Sequence, residues 1–287
     1  MLTSSLTDIT RHNIRLMVGA MTAFTLNDTL VKWVSESMPT GQLIFIRGVV
    51  ATVFIVVASR WMGGVGPWRR LASGWVAWRS LVDAAATFLF LVSLFHLPLA
   101  TAVSINMVTP LVIAAMAACW WRERVSVMRW LIIAVGFVGV LLIIQPGVEG
   151  WNTWAWVCLA GTLLTAYRDI ITRKVSSDMP SIGITLATSV AVTTLAGGVS
   201  VLEGWEPMTL QEVALLAAAS AFLSAGYHLV IRATRSGDIS AVAPFRYVAL
   251  LIAVACGWIL WGHVPNLLAW GGIALVIGAG LMLLRQP

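Results

Sequence analysis

Charge is what this chain has least of. Its 287 residues include only 12 acidic and 18 basic side chains, against 59% apolar residues. A water-soluble globule of this size needs more polar surface than that, so the composition excludes one and assigns the chain to a bilayer. The mean hydropathy of +0.90 agrees. Cysteine is scarce as well: Cys119, Cys158 and Cys256 lie in apolar runs without a CxxC pair or nearby histidines, which excludes a disulfide framework and a thiolate metal site. HExxH, GxSxG, Walker A and paired-carboxylate metal motifs are all missing, so an embedded protease, lipid transferase or ATPase has no motif to rest on. No cofactor is expected. The sequence pI near 9.9 does not indicate nucleic acid, because the basic residues fall singly or in pairs between apolar spans. No signal peptide is evident: the first apolar run, after Arg11 and Arg15, is long enough to span and lacks a small-residue cleavage pattern.

What is there is apolar helix. A span needs about 20 apolar residues. Ten stretches qualify, near 13–34, 42–60, 73–95, 98–120, 129–146, 152–172, 181–202, 210–231, 239–260 and 266–284, joined by short connections. With a cytoplasmic N-terminus, all of the 18 basic residues except Lys32 and Arg47 fall on the inner side, and Glu36, Glu149, Glu203, Glu206 and Glu212 gather outside. Both termini are therefore predicted to be cytoplasmic. The 15 tryptophans fit the same topology, with Trp61, Trp68, Trp75, Trp78, Trp120, Trp121 and Trp130 inside and the rest outside. Aromatic-belt duty is the default for each. Trp154 and Trp156, on an early turn of the sixth span, are the exceptions most suited to gripping a ligand.

The chain also repeats itself. Asp28, Lys32, Ser35 and Pro39 match Asp169, Arg173, Ser176 and Pro180, an offset of 141 (28 to 169). A second register, offset by 139, pairs Thr101-Ala102-Val103 with Ser240-Ala241-Val242 and Gly139 with Gly278. The reading is two five-helix repeats, 1–147 and 148–287. An odd number of spans per copy inverts the second relative to the first, and inverted repeats supply two near-equivalent packings, one open to each side. The predicted fold class is an all-α integral membrane protein of ten transmembrane helices in two inverted repeats.

LPLATAVSINMVTPLV at the fourth span and WWRERVSVMRWLIIAVGFVGVLLI after it, with the weaker counterparts GDISAVAPFRYVALL and WGHVPNLLAWGGIALVIGAGLMLL, carry a family resemblance. They resemble the drug/metabolite transporter superfamily, specifically its ten-helix EamA-type members. The resemblance covers essentially the whole chain. Where family members show Gly-Glu after the fourth and ninth spans, this chain has Arg122-Glu123 and Gly262-His263, so Glu123 receives no special role. In size and topology the chain looks most like the bacterial aromatic amino-acid exporters. That resemblance implies a secondary transporter exporting aromatic and other amino acids across the inner membrane by alternating access. A multidrug or organic-cation exporter of the same fold is the alternative.

Ionisable groups at membrane depth are costly and normally face a cavity or a partner. Asp83, ten residues into the third span, lies about 15 Å deep, near the midplane. Its repeat counterpart is Phe222, and an unpaired acid that breaks the symmetry suits a substrate-facing or proton-carrying group. The bland alternative is an intrahelical pair with Arg79, one turn nearer the cytoplasm. Asp28 with Lys32 and Asp169 with Arg173 stand in the favourable i, i+4 order and read as gating or structural pairs, with Arg47 a further candidate partner for Asp28. Asn106 and Pro110 in the fourth span, and Pro244 in the ninth, mark helix irregularities. A neighbouring Ser or Thr filling a harmless kink is the competing account. Phe88 and Tyr227 are repeat equivalents, and with Tyr167, His228, Phe245 and Tyr247 they supply rings for stacking on a solute or for core packing. His96 reads as an interfacial cap. Ala114 with Ala118 and Ala274 with Gly278 are spaced for close helix approach. The expected cavity is lined by spans one, three, four, six, eight and nine. The expected partners are a small-molecule substrate and lipid; proton coupling, and monomer against homodimer, stay open.

Overall fold

The computed structural model describes residues 2–60, 64–121, 126–145, 152–172, 174–176, 179–235 and 242–284. Side chains are described from residue 11 onward, apart from ten at helix ends and loop edges. Among these residues every regular element is helical. In chain order they are α1 (Leu2–Val34), α2 (Thr40–Ser59), α3 (Trp68–Leu71), α4 (Gly74–His96), α5 (Leu99–Asn106) and α6 (Thr109–Trp121). There follow α7 (Val127–Ile144), α8 (Trp154–Thr172), α9 (Ser181–Glu203), α10 (Leu210–Arg235), a 3-10 turn (Ala243–Tyr247), α11 (Val248–Trp261) and α12 (Leu267–Leu284). Among the described residues, six helices or helix pairs are long and apolar enough to cross a membrane: Thr40–Ser59, Gly74–His96, Leu99–Met116, Ser181–Glu203, Leu210–Val230 and Pro244–Trp261. Trp130–Ile144 and Leu267–Leu283 are shorter apolar helices. The protein is thus an all-helical membrane protein.

The repeated signature marks helix starts. Pro39 stands immediately before α2 and Pro180 before α9, both in extended conformation, each following a buried methionine, Met38 or Met179. Proline has no N–H to leave unpaired at a helix entry, which is why it is tolerated there. Other ends are closed by side chains. Glu203 Oε2 accepts from the Gly41 N–H at 2.6 Å, satisfying one free donor of α2. Thr209 and Glu212 form a reciprocal capping box at the start of α10, with Thr209 N–H to Glu212 Oε2 at 2.7 Å and Glu212 N–H to Thr209 Oγ1 at 3.2 Å. Gln42, fully buried, bonds both the carbonyl and the N–H of Glu206.

The helices sort into two units that do not follow chain order. The first unit holds Met1–Thr29, Pro98–Asn152 and Phe222–Pro287; the second holds Leu30–Leu97 and Thr153–Ala221. In the second, α2 packs on α9 and α4 packs on both α8 and α9. Gly41 lets α2 and α9 close up, since a Cβ there would stand 2.6 Å from the Ser200 backbone nitrogen. In the first unit α7 packs on α12 and α5 on α11. The tightest α7–α12 approach is between Gly139 and Gly272, where a Cβ on Gly272 would lie 2.5 Å from the Gly139 carbonyl oxygen. Gly278, expected from its spacing to be the contact residue, faces open space instead. The Gln145 and Asn266 side-chain amides exchange hydrogen bonds of 2.8 and 3.0 Å, and Asn266 also caps α12 through the Ala269 N–H.

Candidate functional site

Within the second unit, α4 and α8 meet along a seam that carries the buried charge. Asp83 is not alone there: the intrahelical pair with Arg79, the alternative weighed from sequence, is present, and Arg168 joins it from α8. Arg168 Nη1 donates to Asp83 Oδ1 at 2.7 Å, and Arg79 Nη1 lies 3.3 Å from Oδ2. Arg168 also engages its neighbour Asp169, through Nε at 2.9 Å and Nη2 at 2.8 Å. Arg79 also donates to hydroxyls, with Nε to Thr172 Oγ1 at 3.0 Å on α8 and Nη1 to Thr188 Oγ1 at 2.9 Å on α9. Desolvation explains the crowding of partners, because a charge withdrawn from water must recover its interactions within the protein. The Asp83 side chain is only 9% exposed, whereas that of Asp169 is 41% exposed. Ser80 Oγ, three residues before Asp83, is buried and has no hydrogen-bond partner among the described residues. Rings border the cluster: Trp78 Nε1 donates to Tyr167 Oη at 3.3 Å, and Lys174 Nζ lies 4.4 Å above the Trp75 ring.

The far end of α4 is held differently. Lys32 Nζ donates to the carbonyls of Leu94 at 2.8 Å, Phe95 at 3.3 Å and Leu97 at 2.7 Å. Those are carbonyls left open at the helix terminus, and a cation there also meets the negative end of the helix dipole. The role legible in sequence, an ion pair with Asp28, gives no hint of this cap. His96 stacks flat on Trp154 with centroids 4.0 Å apart, joining the end of α4 to the start of α8, and its Nδ1 is 2.8 Å from the Val92 carbonyl. Arg47 is buried on α2, where its carbonyl accepts from Ser220 Oγ.

The other sequence candidates divide between the units. Phe88, half-buried on α4, belongs with Tyr167 and Trp154 to the second; Tyr227, His228, Phe245 and Tyr247 belong to the first. Tyr227 meets Phe24 edge to face at 5.2 Å and keeps 45% of its surface exposed, and His228 is exposed too. Tyr247 is buried against Gly280, and its Oη has no hydrogen-bond partner among the described residues. Asp28 accepts from Asn27 Nδ2 at 2.8 Å.

Pro110 does break its helix. The fourth span is interrupted between α5 and α6, where Pro110 has no N–H for the Asn106 carbonyl and Thr109 Oγ1 takes its place at 2.7 Å. In the ninth, Pro244 sits in the 3-10 turn that precedes α11. Under the 139 offset (107 to 246, 108 to 247) the interruption at Met107–Val108 falls on Arg246–Tyr247, inside that turn. Arg173 and Glu123 lie outside the described residues.

Arg168 and the Thr172 and Thr188 hydroxyls are the site residues that sequence reasoning missed. The Arg168-Asp169 pair inside an otherwise apolar run was the available signal.

Comparison with known proteins gives this seam a setting. The model of the EamA-like transporter family matches twice, at residues 13–145 and 152–285. The chain is 26% identical over 277 residues to a riboflavin transporter of Rhizobium johnstonii, covering 94% of this chain and 90% of the relative. It is 25% identical over 280 residues to a pseudopaline exporter of Pseudomonas aeruginosa, covering 97% and 98%. An S-adenosylmethionine uptake transporter of Rickettsia bellii is 28% identical over 189 residues, or 65% of this chain and 64% of that one. A solved crystal structure, 16% identical, superposes with a TM-score of 0.62 over 93% of this chain and 95% of that chain, a likeness of fold. The relatives are small-molecule transporters and not enzymes, and the doubled match spans nearly the whole chain: this multi-pass membrane protein belongs to the EamA-like transporter family of the drug/metabolite transporter superfamily.

Proposed function

We propose that the chain is a secondary transporter of the bacterial inner membrane that exports ring-bearing amino acids and related metabolites by alternating access. The observation that carries this reading is the charged α4–α8 seam in a chain with so few charges. Evolution of an apolar helix pair gains nothing in stability from four ionisable side chains that hydrophobic residues could replace. The two halves, 1–147 and 148–287, act in this reading as inverted repeats whose exchange of conformations opens one side and then the other. The pairing of repeat-equivalent helices supports it: the second and seventh spans (α2, α9), the fourth and ninth (α5, α11) and the fifth and tenth (α7, α12) each pack together. Phe88, Tyr167 and Trp154 offer stacking faces on the helices of the seam. Riboflavin and S-adenosylmethionine, named for two of the relatives, both carry flat ring systems. The organic-cation alternative is disfavoured because a lone cation brings no anionic group to answer the two guanidinium groups that face Asp83.

Purified protein in liposomes, offered labelled aromatic amino acids, aliphatic amino acids and organic cations with and without a pH gradient, tests the reading. Flux of aromatic amino acids above the others is expected, and a pH gradient that accelerates it identifies the coupling ion. Flux of cations alone would replace this proposal by the multidrug one. Relatives named as an exporter and as an uptake transporter make direction a separate measurement, read from efflux against uptake in cells. Single cysteines at 66 and 205 should label from the cytoplasmic and outer sides respectively; the reverse pattern would overturn the topology.

A further inference from the structure

The four charges of the seam divide evenly between two helices. Arg79 and Asp83 are one turn apart on α4, with 3.3 Å between Nη1 and Oδ2; Arg168 and Asp169 adjoin on α8, in contact at 2.8 Å. Each helix is therefore neutral at the seam on its own. The 2.7 Å contact between Arg168 and Asp83 is the ionic link that crosses between them. Opening an ordinary buried bridge leaves two uncompensated charges. Opening this one strands neither, because each member keeps a partner on its own helix.

We propose that the substrate's head group enters at this crossing bridge and that the head group is zwitterionic, its carboxylate taken by Arg168 and its ammonium by Asp83. The inference rests on the transporter reading above and names the substrate class of that site. A zwitterion inserted between the two residues replaces one contact by two and leaves the net charge of the seam at zero. A lone anion or cation adds a whole unbalanced charge beside an acid that is 9% exposed. The guanidinium is already oriented for such a ligand. Nε and Nη2 bond Asp169 while Nη1 points across to Asp83, so Arg168 keeps its direction when Asp83 lets go. Asp169 is thus a positioning residue. Ser80 Oγ, buried three residues before Asp83 on α4 and unpartnered among the described residues, is a candidate hydrogen-bonding group for the incoming head.

The test uses L-phenylalanine, phenethylamine, 3-phenylpropionate and riboflavin as probes, with binding read from ligand-induced thermal shifts of the purified protein and flux read in proteoliposomes. Wild type should bind phenylalanine at least about tenfold more tightly than either singly charged analogue, the loss expected for one charge-assisted contact. Two paired variants keep their helices neutral, which guards against misfolding. Arg168→Gln with Asp169→Asn should abolish the discrimination against phenethylamine while weakening 3-phenylpropionate further. Arg79→Gln with Asp83→Asn should give the opposite pattern. Analogues that bind wild type as tightly as phenylalanine, no binding of any probe, or equal weakening of every probe in both variants would overturn the proposal. Riboflavin flux without discrimination by charge would overturn it while leaving the transporter reading intact. The crossed binding pattern without flux would uphold the site and remove the transporter reading.

Discussion

The two units differ in the contacts that tie their helices. The second is tied across its helices by charge and hydroxyls: Asp83 to Arg168, Arg79 to Thr172 and Thr188, Lys32 to the end of α4. In the first, the ties include the Gly139–Gly272 approach, an exposed Gln145–Asn266 amide exchange and the buried Thr25 hydroxyl on the Ala249 carbonyl, and α5 packs on α11. Ionic contacts are directional and exchangeable for contacts with a ligand, whereas glycine contacts are steric and have no substitute. On the proposed reading recognition falls to the second unit, which has a close glycine contact of its own at Gly41.

Substitutions at three places, the seam, the end of α4 and the α7–α12 contact, would sharpen or break that contrast. The largest effect is expected from Asp83→Leu, which leaves Arg79 buried beside an apolar side chain and should cost about 3–5 kcal/mol in a denaturant titration. Arg79→Leu made together with Asp83→Leu should recover most of that loss while abolishing substrate-dependent thermal shifts. Recovery of binding as well would mean that the seam is only scaffold. Next, Lys32→Met removes a charged donor from three carbonyls and should cost about 1.5–3 kcal/mol, with faster hydrogen exchange confined to the residues around Leu97. Protection lost evenly along α4 would refute the local role. A smaller effect is expected in the first unit, where Gly272→Leu should cost about 1–3 kcal/mol by overpacking against α7. Gly278→Leu, with open space around its Cα, should stay within about 0.5 kcal/mol of wild type. Equal losses at both glycines would show that the helix register differs from the one described.

Much of this was visible in the sequence, for local reasons. Apolar run length sets the spans, the 141-residue repeat puts Pro39 and Pro180 at matching helix starts, and Pro110 breaks its helix because the defect is covalent. The site was half legible. Desolvation cost singles out Asp83 from its depth alone, but its partner Arg168 lies 85 positions away on another helix. Near the predicted inner end of its span, Arg168 reads as one more topology-setting charge. Lys32 was half legible for a similar reason: an acid four residues earlier suggests an ion pair, while the carbonyls it also reaches lie more than 60 positions away at the end of α4. Gly272 escaped notice because the contact point of two helices depends on their crossing geometry, which repeat spacing does not encode.

The interleaving of the units also bears on how the protein is made. The second unit has all of its segments once residue 221 has been synthesised, while the first opens with Met1–Thr29 and waits for the stretch after Phe222. At translation rates of about 5–20 residues per second, the early part of α1 and the α5–α7 segment stay without their later partners for several seconds. During that interval the Gly139 face of α7 has no α12 to meet. The ribosome therefore delivers the charged seam first and the glycine-packed scaffold last, and insertion factors that shield half-assembled helices would matter most for the unit that contains the chain's earliest residues.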